Sequence, residues 1–426
     1  MSISTWRPVK LDALGEVARG KSRHRPRNDP RLFGGPYPFI QTADIMAADP
    51  YIVNYGQTLS EFGLAQSRLW PSDTLCITIA GANTARTAIL KFPACFPDSI
   101  IGFRPDPSVA NIHFVKYSLD FMKQRFLAIT RGATQDNLSL DKLLSFPIPT
   151  PSLETQHRIA SIMSAYDDLI DVHTRRIAIL EEMARRLFDE WFVNFRFSSG
   201  EQNNFEGSGP NPIPEGWTQT TIGEILVALE TGTRPKGGVG TDGDVPSIGA
   251  ENVLGLGRYD YAREKLITNE FFSSMKRGHV RDGDVMLYKD GAYIGRLSMA
   301  WKGFPHSNCV VNEHVFLLRT IKSICPQFLF FWLDQIDLQA KIRGLNANAA
   351  QPGLNQPGIR GLPIIIPPQS LLDAFDHVTR PIFDLLFNLA LQIPTLRTAR
   401  DLLVLKLISR ELDISTAELK MEAAAE

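Results

Sequence analysis

Apolar residues recur at alternating steps of four and three along two long stretches of the chain. The first set, polar only at its fifth member, is Ile159, Met163, Tyr166, Ile170, His173, Ile177, Leu180, Ala184, Leu187 and Trp191. The second set lies 216 residues further on and comprises Phe375, Thr379, Ile382, Leu386, Leu389, Ile393, Leu396, Arg400, Leu403 and Leu407. A heptad seam of this kind is typical of a helix that packs along another helix. The pattern predicts two long helices whose seams face each other.

The two seams belong to an internal duplication. The same shift of 216 superposes the proline-containing segments 146–151 and 362–367 that precede them. Shorter matches lie upstream, at a shift of 208 for 14–17 with 222–225 and for 40–45 with 248–253, and at 211 for 73–75 with 284–286. Shifts that vary in the globular parts but stay constant through the helices predict a repeated scaffold with loops of different length.

The fold class predicted is α+β. Short strand-like runs such as 74–79 lie between turns rich in Pro and Gly, and a helical pattern follows at 112–129. We expect two globular α/β domains separated by two long helices that form an antiparallel coiled coil, with an internal pseudo-twofold repeat. Pro381 and Pro394 interrupt the second helical pattern, so a bend is expected near Ile393.

The predicted boundaries follow the duplication. They are a first globular domain at 1–150, a central long helix at 151–197, a linker at 198–212, a second globular domain at 213–366, a C-terminal long helix at 367–414 and a tail at 415–426.

Charge is distributed unevenly along a chain of 426 residues with a net charge of −1. Residues 1–150 carry 17 Lys and Arg against 12 Asp and Glu, whereas residues 367–426 carry 6 against 9. A mildly basic first domain and an acidic last helix suggest different partners, although ordinary fluctuation explains such counts equally well.

Neither the cysteines nor the termini indicate a secreted or membrane protein. Cys76, Cys95, Cys309 and Cys325 show no C-x-x-C spacing, so reduced thiols are expected in place of a zinc site or disulfides. No leader pattern and no run of 18 apolar residues is present, and we expect a soluble, cytoplasmic protein.

A search for catalytic motifs favours a binding protein. Walker-type, H-E-x-x-H and G-x-S-x-G patterns are absent from the sequence. Residues 238–243 fit G-x-G-x-x-G, but no apolar strand precedes them and a flexible loop is favoured. We interpret His173 as a hydrogen-bonded packing residue, and expect Arg400 to reach solvent or to pair with an acid of the facing helix. The sequence predicts no catalytic residue and no metal ligand.

Loops rich in Arg, Lys, Asn, Gln and Gly are candidates for DNA contact, because basic side chains reach phosphates and Arg, Asn and Gln hydrogen-bond base edges. A solvated charged loop is the alternative interpretation. The candidates are Lys21, Arg23, Arg25, Arg27, Gln41, Thr42, Asn83, Thr84, Arg86, Arg131, Gln135, Thr233, Arg234, Lys236, Asn252, Lys289, Tyr293, Arg296, Asn346 and Asn348. The seam residues proposed to bind partners are Tyr166, Ile170, Ile177, Leu180, Leu187, Leu386, Leu389 and Leu396.

The order of these parts resembles the specificity (S) subunit of type I restriction-modification systems. The resemblance rests on F-P-I-P-T-P at 146–151 with E-T-Q-H-R-I at 154–159, I-P-E-G-W at 213–217 and L-P-I-I-I-P-P-Q at 362–369. It implies two target recognition domains that each read one half of a bipartite, asymmetric DNA target, held apart by the helices. The polar start of the first helix is replaced by L-L-D-A-F at 371–375, so partner docking is expected more firmly on the first helix than on the second.

The resemblance also implies a non-catalytic subunit. Two methylation (M) subunits would dock on the helices and bring S-adenosylmethionine, restriction (R) subunits would bring ATP use, Mg²⁺ and cleavage, and this chain would hold no cofactor. The alternatives are a stand-alone DNA nuclease or methyltransferase with diverged motifs, and a coiled-coil adaptor that uses its domains for protein contacts.

Overall fold

Each copy of the duplicated sequence builds a unit of its own. A computed structural model of the chain describes residues 6–81, 84–130, 138–197, 205–206, 213–235, 238, 240, 243–347, 353–412 and 414. Unit 1 contains Met1–Ile170 with Leu396–Glu426, and unit 2 contains Asp171–Thr395. The helical segments that follow each globular part are therefore divided between the two units.

Unit 1 combines short strands with short helices and one longer helix. Its strands are β1 (Arg7–Val9), β2 (Gly15–Arg19), β3 (Phe33–Phe39), β4 (Tyr51–Ile52), β5 (Gln57–Leu59), β6 (Leu69–Trp70), β7 (Leu75–Thr78), β8 (Thr87–Leu90), β9 (Ala94–Cys95), β10 (Ile100–Pro105) and β11 (Ile148–Thr150). Its helices are α1 (Thr42–Ala47), α2 (Glu61–Ala65), α3 (Ile112–Thr130), α4 (Leu140–Leu144) and the first half of α5 (Leu153–Phe188). The strand and the helix predicted at 74–79 and 112–129 correspond to β7 and α3.

Unit 2 repeats this plan. Its strands are β12 (Phe205–Glu206), β13 (Ile213–Pro214), β14 (Thr218–Thr221), β15 (Leu226–Thr231), β16 (Val245–Ile248), β17 (Leu266–Ile267), β18 (Val285–Tyr288), β19 (Leu297–Met299), β20 (Val310–Val311), β21 (Val315–Thr320) and β22 (Pro363–Ile366). Its helices are α6 (Asn269–Ser274), α7 (Pro326–Asp334), α8 (Ile336–Ala347), α9 (Gln356–Arg360) and most of α10 (Gln369–Ile408).

The sheets of the two units have matching strand orders. The order β2-β10-β7-β8 in unit 1 corresponds to β15-β21-β18-β19 in unit 2. Phe103 of β10 lies between β2 and β7, and Leu318 of β21 lies between β15 and β18 in the same way. A parallel pair is also repeated, Phe39 with Cys95 in unit 1 and Ser247 with Val310 in unit 2. Phe39 and Ser247 are 208 residues apart, which agrees with the shift predicted for 40–45 with 248–253.

Strand register corrects the match predicted at 73–75. Leu75 and Val285 face the same position of the neighbouring strand in their units, which makes the shift 210 and not 211. Two residues earlier, Asp73 and Gly283 both have positive φ angles, of 56° and 83°. Asp73 therefore corresponds to Gly283 and not to Asp284, so the identical aspartates that suggested the match occupy different positions.

The match predicted at 14–17 is also wrong by a few residues. Val9 of β1 pairs with Ile148, and Thr220 of β14 pairs with Ile364, which is the residue 216 positions after Ile148. Val9 therefore corresponds to Thr220, and the shift at this edge of the domain is 211 and not the predicted 208. Insertions in the loops that follow account for the changing shifts.

The two long helices pack antiparallel in each unit. In unit 2, His173 of α5 contacts Gln392 of α10 at 2.8 Å, while Phe188 near the end of α5 contacts Phe375 near the start of α10. In unit 1, Arg400 of α10 contacts Asp167 of α5 at 2.6 Å. The heptad prediction of facing seams is confirmed, as are the interpretations of His173 as a packing residue and of Arg400 as a partner of an acid on the facing helix.

The helix ends differ from the predicted ones. Helix α5 ends at Phe188 and one π-helical segment, Asp189–Val193, follows it. Helix α10 is continuous through Pro381 and Pro394, so neither proline ends it. The apolar seam around the prolines offsets the lost backbone hydrogen bonds, since Phe383, Leu386 and Leu389 are buried. Of the predicted linker only 205–206 is described, and the tail lies outside the described residues.

Candidate nucleic-acid interface

Three segments of unit 1 meet at one end of its larger sheet. A basic loop at 20–29 follows β2, a hairpin loop at 79–86 joins β7 to β8, and a turn at 97–99 leads into β10. The N–H of Gly20 donates to Ile100 O at 2.9 Å, and the N–H of Lys21 donates to Phe96 O at 3.1 Å. Ile79 N–H donates to Ser99 O at 3.1 Å. We call this group of segments the unit 1 loop end.

Unit 2 has the same arrangement, the unit 2 loop end, built from 232–235, 289–296 and 312–314. Gly232 N–H donates to Asn312 O at 3.2 Å, and Lys289 N–H donates to His314 O at 3.1 Å. Leu138, which follows residues 131–137, donates to Ile79 O at 2.9 Å, and Leu354 donates to Lys289 O at 2.8 Å. The chain therefore returns to the hairpin loop at the same place in both units.

The hairpin loops at 80–86 and 290–296 correspond at the residue that precedes the second strand. Ala85 and Gly295 have positive φ angles of 62° and 92°, and their N–H groups donate to the last residue of the preceding strand at 2.8 and 3.0 Å. The next residue is exposed Arg86 in one unit and exposed Arg296 in the other. One arginine is thus presented at the same site of each loop end.

A glycine starts each basic loop because backbone passes within contact distance. A Cβ atom on Gly20 would lie 2.2 Å from Phe96 O, and one on Gly232 would lie 1.6 Å from Val311 O. Both distances are far inside van der Waals contact. Register relates Phe96 to Val311 by the shift of 215 that also relates Phe103 to Leu318, so the close approach is a repeated feature.

Of the eight predicted contact residues that the structure describes in unit 1, five lie on the surface of the loop end. Exposed side chains are those of Lys21, Arg23, Arg25, Arg27 and Arg86. Arg25 Nη1 donates to Ser22 O at 2.7 Å, which orders the loop locally. Gln41 and Thr42 lie at the start of α1, where Asp44 accepts the N–H of Gln41 at 2.7 Å.

Among the described residues, the unit 2 loop end presents fewer exposed basic side chains than the unit 1 loop end. Thr233, Arg234, Tyr293 and Arg296 are exposed, and Lys289 is half-buried. The Arg296 guanidinium lies 3.7 Å from the centre of the Tyr293 ring, a cation–π contact that leaves an aromatic and a cation together on the surface. The two loop ends therefore share a scaffold and differ in chemistry.

Two predicted contact residues are corrected. Thr84 is 3% exposed and its hydroxyl donates to Gly81 O at 2.8 Å. Asn252 is 2% exposed, accepts the N–H of Gly249 at 3.1 Å and donates to Asp260 O at 3.0 Å. Because both side chains are buried and hydrogen-bonded within the chain, we assign them a structural role in place of DNA contact.

Six further predicted contact residues have side chains outside the described part of the chain. Asn346 belongs to α8, but its side chain is not among those described. The remaining candidates lie outside the described residues and are Asn83, Arg131, Gln135, Lys236 and Asn348.

Acidic residues that the sequence did not indicate hold arginines at both loop ends. Arg27 Nη2 donates to both carboxylate oxygens of Asp98, at 3.0 and 2.9 Å. Arg234 Nη2 pairs with Glu313 and also lies 3.2 Å from His314 Nε2. Their sequence signal is weak, because Asp98 and Glu313 are different acids and only the strand register relates them, at a shift of 215.

The seam residues predicted to bind partners are largely used within the chain. Ile170, Ile177, Leu386 and Leu389 are at most 4% exposed. Leu180 and Leu187 pack against the core of unit 2, while Tyr166 and Leu396 are half-buried. We therefore correct their assignment: burial between the two helices leaves these seam residues little surface for another subunit.

A second apolar face of the helices remains exposed. In unit 2, Val172, Ile179 and Met183 of α5 are 46%, 58% and 48% exposed. Their spacing of seven and four places them on one helix face. On α10 of the same unit, Val378 and Leu385 are 41% and 38% exposed, seven residues apart.

Among the described residues, no group of three or more His, Cys, Asp and Glu side chains could hold a metal ion. The four cysteines are free, and burial raises the pKa of Cys309 and of Cys325 to about 12, so neither is activated as a thiolate. No helix in the described part of the chain is long and apolar enough to cross a membrane.

Comparison with known proteins identifies relatives over nearly the whole length. Residues 3–182 match the type I restriction modification DNA specificity domain. The chain is 24% identical over 431 residues to the type I restriction enzyme MjaIX specificity subunit of Methanocaldococcus jannaschii, covering 96% of this chain and 94% of that protein. It is 22% identical to the putative MjaX specificity subunit of the same organism, covering 89% and 87%.

A solved structure has the same fold. The crystal structure of the type I restriction-modification S subunit from M. genitalium superposes with a TM-score of 0.57 at 15% identity, covering 96% of this chain and 97% of that one.

Proposed function

Because this chain belongs to the family of type I restriction-modification specificity subunits, we propose that it is the non-catalytic subunit that reads DNA sequence for such an enzyme. Each loop end reads one word of a bipartite target in double-stranded DNA, and the helices separate the two words. The observation that carries this proposal is the repetition of one loop-end scaffold in both units with different exposed side chains. Because the side chains differ, the two words differ and the target is asymmetric.

The loop ends suit DNA to different degrees. At the unit 1 loop end, Lys21, Arg23, Arg25, Arg27 and Arg86 are exposed, and Arg27 pairs with Asp98. Such a surface neutralises phosphates and releases counterions, so it supplies affinity that falls with salt. At the unit 2 loop end, acids balance most of the basic side chains. We infer that unit 1 contributes more of the nonspecific affinity, while both units contribute recognition.

Partner subunits would use the exposed apolar face of the helices. Val172, Ile179 and Met183 on α5, with Val378 and Leu385 on α10, offer apolar side chains that the chain itself does not cover. We propose that two methylation subunits dock on such faces and that restriction subunits join the assembly through them. Adenine methylation and cleavage then occur on the partners, with S-adenosylmethionine, ATP and Mg²⁺, in the cytoplasm where the DNA is.

The test is reconstitution of methylation. The chain is combined with methylation subunits of a type I system, S-adenosylmethionine and unmethylated genomic DNA, and methylated positions are mapped by sequencing. We expect methylation at a single asymmetric two-word target, and only when the chain is present. Methylation or Mg²⁺-dependent cleavage by the chain alone would favour a stand-alone enzyme. DNA affinity that does not change between low and high salt would favour a protein-binding adaptor.

A further inference from the structure

We propose that Asp98 and Glu313 are positioning residues that hold Arg27 and Arg234 for direct readout of a guanine, one in each word of the target. This inference rests on the proposed function. It assigns a role to two acids whose charge, at first sight, opposes DNA binding. It also separates these two arginines from the other basic residues of the loop ends.

The first support is the matched position of the acids. Asp98 lies two residues before the first residue of β10, and Glu313 lies two residues before the first residue of β21. The strands correspond through Phe103 and Leu318, which occupy the centres of equivalent sheets. The two acids therefore stand at one structural position of the duplicated scaffold.

The second support is that the arginines do not share a position. Arg27 lies seven residues after Gly20, whereas Arg234 lies two residues after Gly232. Although the basic loops differ in length, each delivers one arginine to the acid of its own unit. The arginines come from nonequivalent positions, yet each pairs with the equivalent acid. The feature common to both units is therefore the place that the guanidinium reaches.

The geometry leaves each arginine able to donate outward. Arg27 is 54% exposed at its side chain and Arg234 is 44% exposed. The hydrogen bonds that described residues make with these guanidinium groups use Nη2 alone. Nη1 and Nε, which lie on different edges of the planar guanidinium, therefore remain as separate donors, and a hydrogen bond from Nη1 can reach an acceptor of guanine, O6 or N7.

Charge favours a base over a phosphate at these two residues. A carboxylate within 3.0 Å of Arg27 neutralises the guanidinium and would repel a phosphate placed beside it. A guanine edge is uncharged and pays no such penalty. The acid also removes rotational freedom from the arginine before DNA arrives, which favours geometric selectivity.

In unit 2 a histidine also helps to hold the arginine in place. His314 Nδ1 lies 2.9 Å from both carboxylate oxygens of Asp290, and its Nε2 lies 3.2 Å from Arg234 Nη2. With the proton on Nδ1 donated to Asp290, Nε2 accepts from the arginine. Arg234 is thus held by groups from both the hairpin loop and the turn before β21.

The experiment uses the full chain assembled with methylation subunits, selecting targets from randomised double-stranded DNA. For Arg27→Ala we expect one word to lose its preference for guanine at one position, by about tenfold or more, while the other word stays intact. Arg234→Ala should affect only the opposite word. Arg104→Ala is the matched control, an exposed arginine at the far end of β10, about 20 Å along the strand from Asp98.

The role of the acid is tested separately. Asp98→Asn should broaden the same position as Arg27→Ala, and Asp98→Glu should restore the preference. The double variant Arg27→Ala with Asp98→Ala leaves net charge unchanged, so the slope of log affinity against log salt should stay the same. A slope reduced by about one would identify a phosphate contact and overturn the inference.

Failure of the inference is distinguishable from failure of the proposed function. If the unaltered assembly selects no two-word target, the proposed function is refuted. If it selects one and the Arg27, Arg234 and Asp98 variants all select the same words, the proposed function stands and the guanine-reading role is refuted.

Discussion

Arg400 donates from Nη1 to Asp167 Oδ1 over 2.6 Å and so joins the two long helices inside unit 1. The side chain of Asp167 is fully buried, and Tyr117 donates its hydroxyl to the same carboxylate. Arg400 also reaches Asp49 at 3.0 Å. Burial by itself would lower the pKa of Arg400, but Asp49 and Asp167 raise it well above its ordinary value. One guanidinium therefore ties both helices to the first globular part.

We predict that Arg400→Met destabilises the chain by about 3–5 kcal/mol, because it leaves the Asp167 carboxylate buried without its cation. The double variant Arg400→Met with Asp167→Leu should recover most of this loss, since an apolar pair needs no compensating charge. Urea unfolding followed by circular dichroism measures both. A double variant as unstable as the single one would show that packing, and not the unpaired charge, causes the effect.

Low pH should weaken the same ion-pair network, because Asp49 becomes protonated. Burial would raise the pKa of Asp49, but the nearby Arg400 and Arg397 outweigh it and lower the pKa. An acid with a lowered folded-state pKa contributes stability above its unfolded pKa of about 3.9 and loses it as pH falls through the folded value. The unfolding free energies of the native chain and Asp49→Asn should therefore differ by a constant amount from about pH 5 to 8 and converge below about pH 4. A difference that persists unchanged into acid would contradict this cause.

The helices were predictable because their signal is local. A heptad repeat is visible in any window of the chain, so facing seams, the packing of His173 and the pairing of Arg400 followed from spacing alone. The same repeat kept the second helix intact through Pro394, and burial of the surrounding seam explains why the proline does not end it.

The loop ends were only partly predictable because their contacts join distant segments. Exposed Arg27 and Arg234 were found from composition, but Asp98 and Glu313 were not, since no constant shift relates the arginines and the acids are not identical. Thr84 and Asn252 were chosen for their side-chain chemistry, whereas burial assigns them to turns. Strand register supplied what residue identity could not.

The paired glycines make a prediction about each loop end. Gly20→Ala and Gly232→Ala should each cost about 1–3 kcal/mol, because the added Cβ meets a backbone oxygen at 2.2 or 1.6 Å and the basic loop must shift. Recognition of one word should weaken in each variant. Gly56→Ala is the matched control, since a Cβ there meets nothing within 4 Å. Equal stability of Gly20→Ala and Gly56→Ala, measured by urea unfolding, would disprove the close approach.

The exposed helix face predicts where a methylation subunit binds. Ile179→Asp should weaken that association by at least about tenfold, because it places a charge in an apolar contact, and should leave the fold unchanged, because Ile179 is 58% exposed. Isothermal titration of the chain with the methylation subunit measures the effect. Val227→Asp is the control, since Val227 is 63% exposed on β15 in the same unit. Comparable losses from both variants would argue against a specific docking face on α5.

Exchange of residues 1–150 for the corresponding part of a type I specificity subunit should change one word of the target and leave the other word unaltered. All three segments of the unit 1 loop end lie within this range, and none of those of unit 2 does. The exchanged part must keep an acid at position 49 and a hydroxyl donor at position 117, because Arg400 and Asp167 on the helices depend on them. Mapping of methylated sites checks the outcome, with exchange of residues 213–366 as the reciprocal control. If either exchange altered both words, the two units could not read DNA independently.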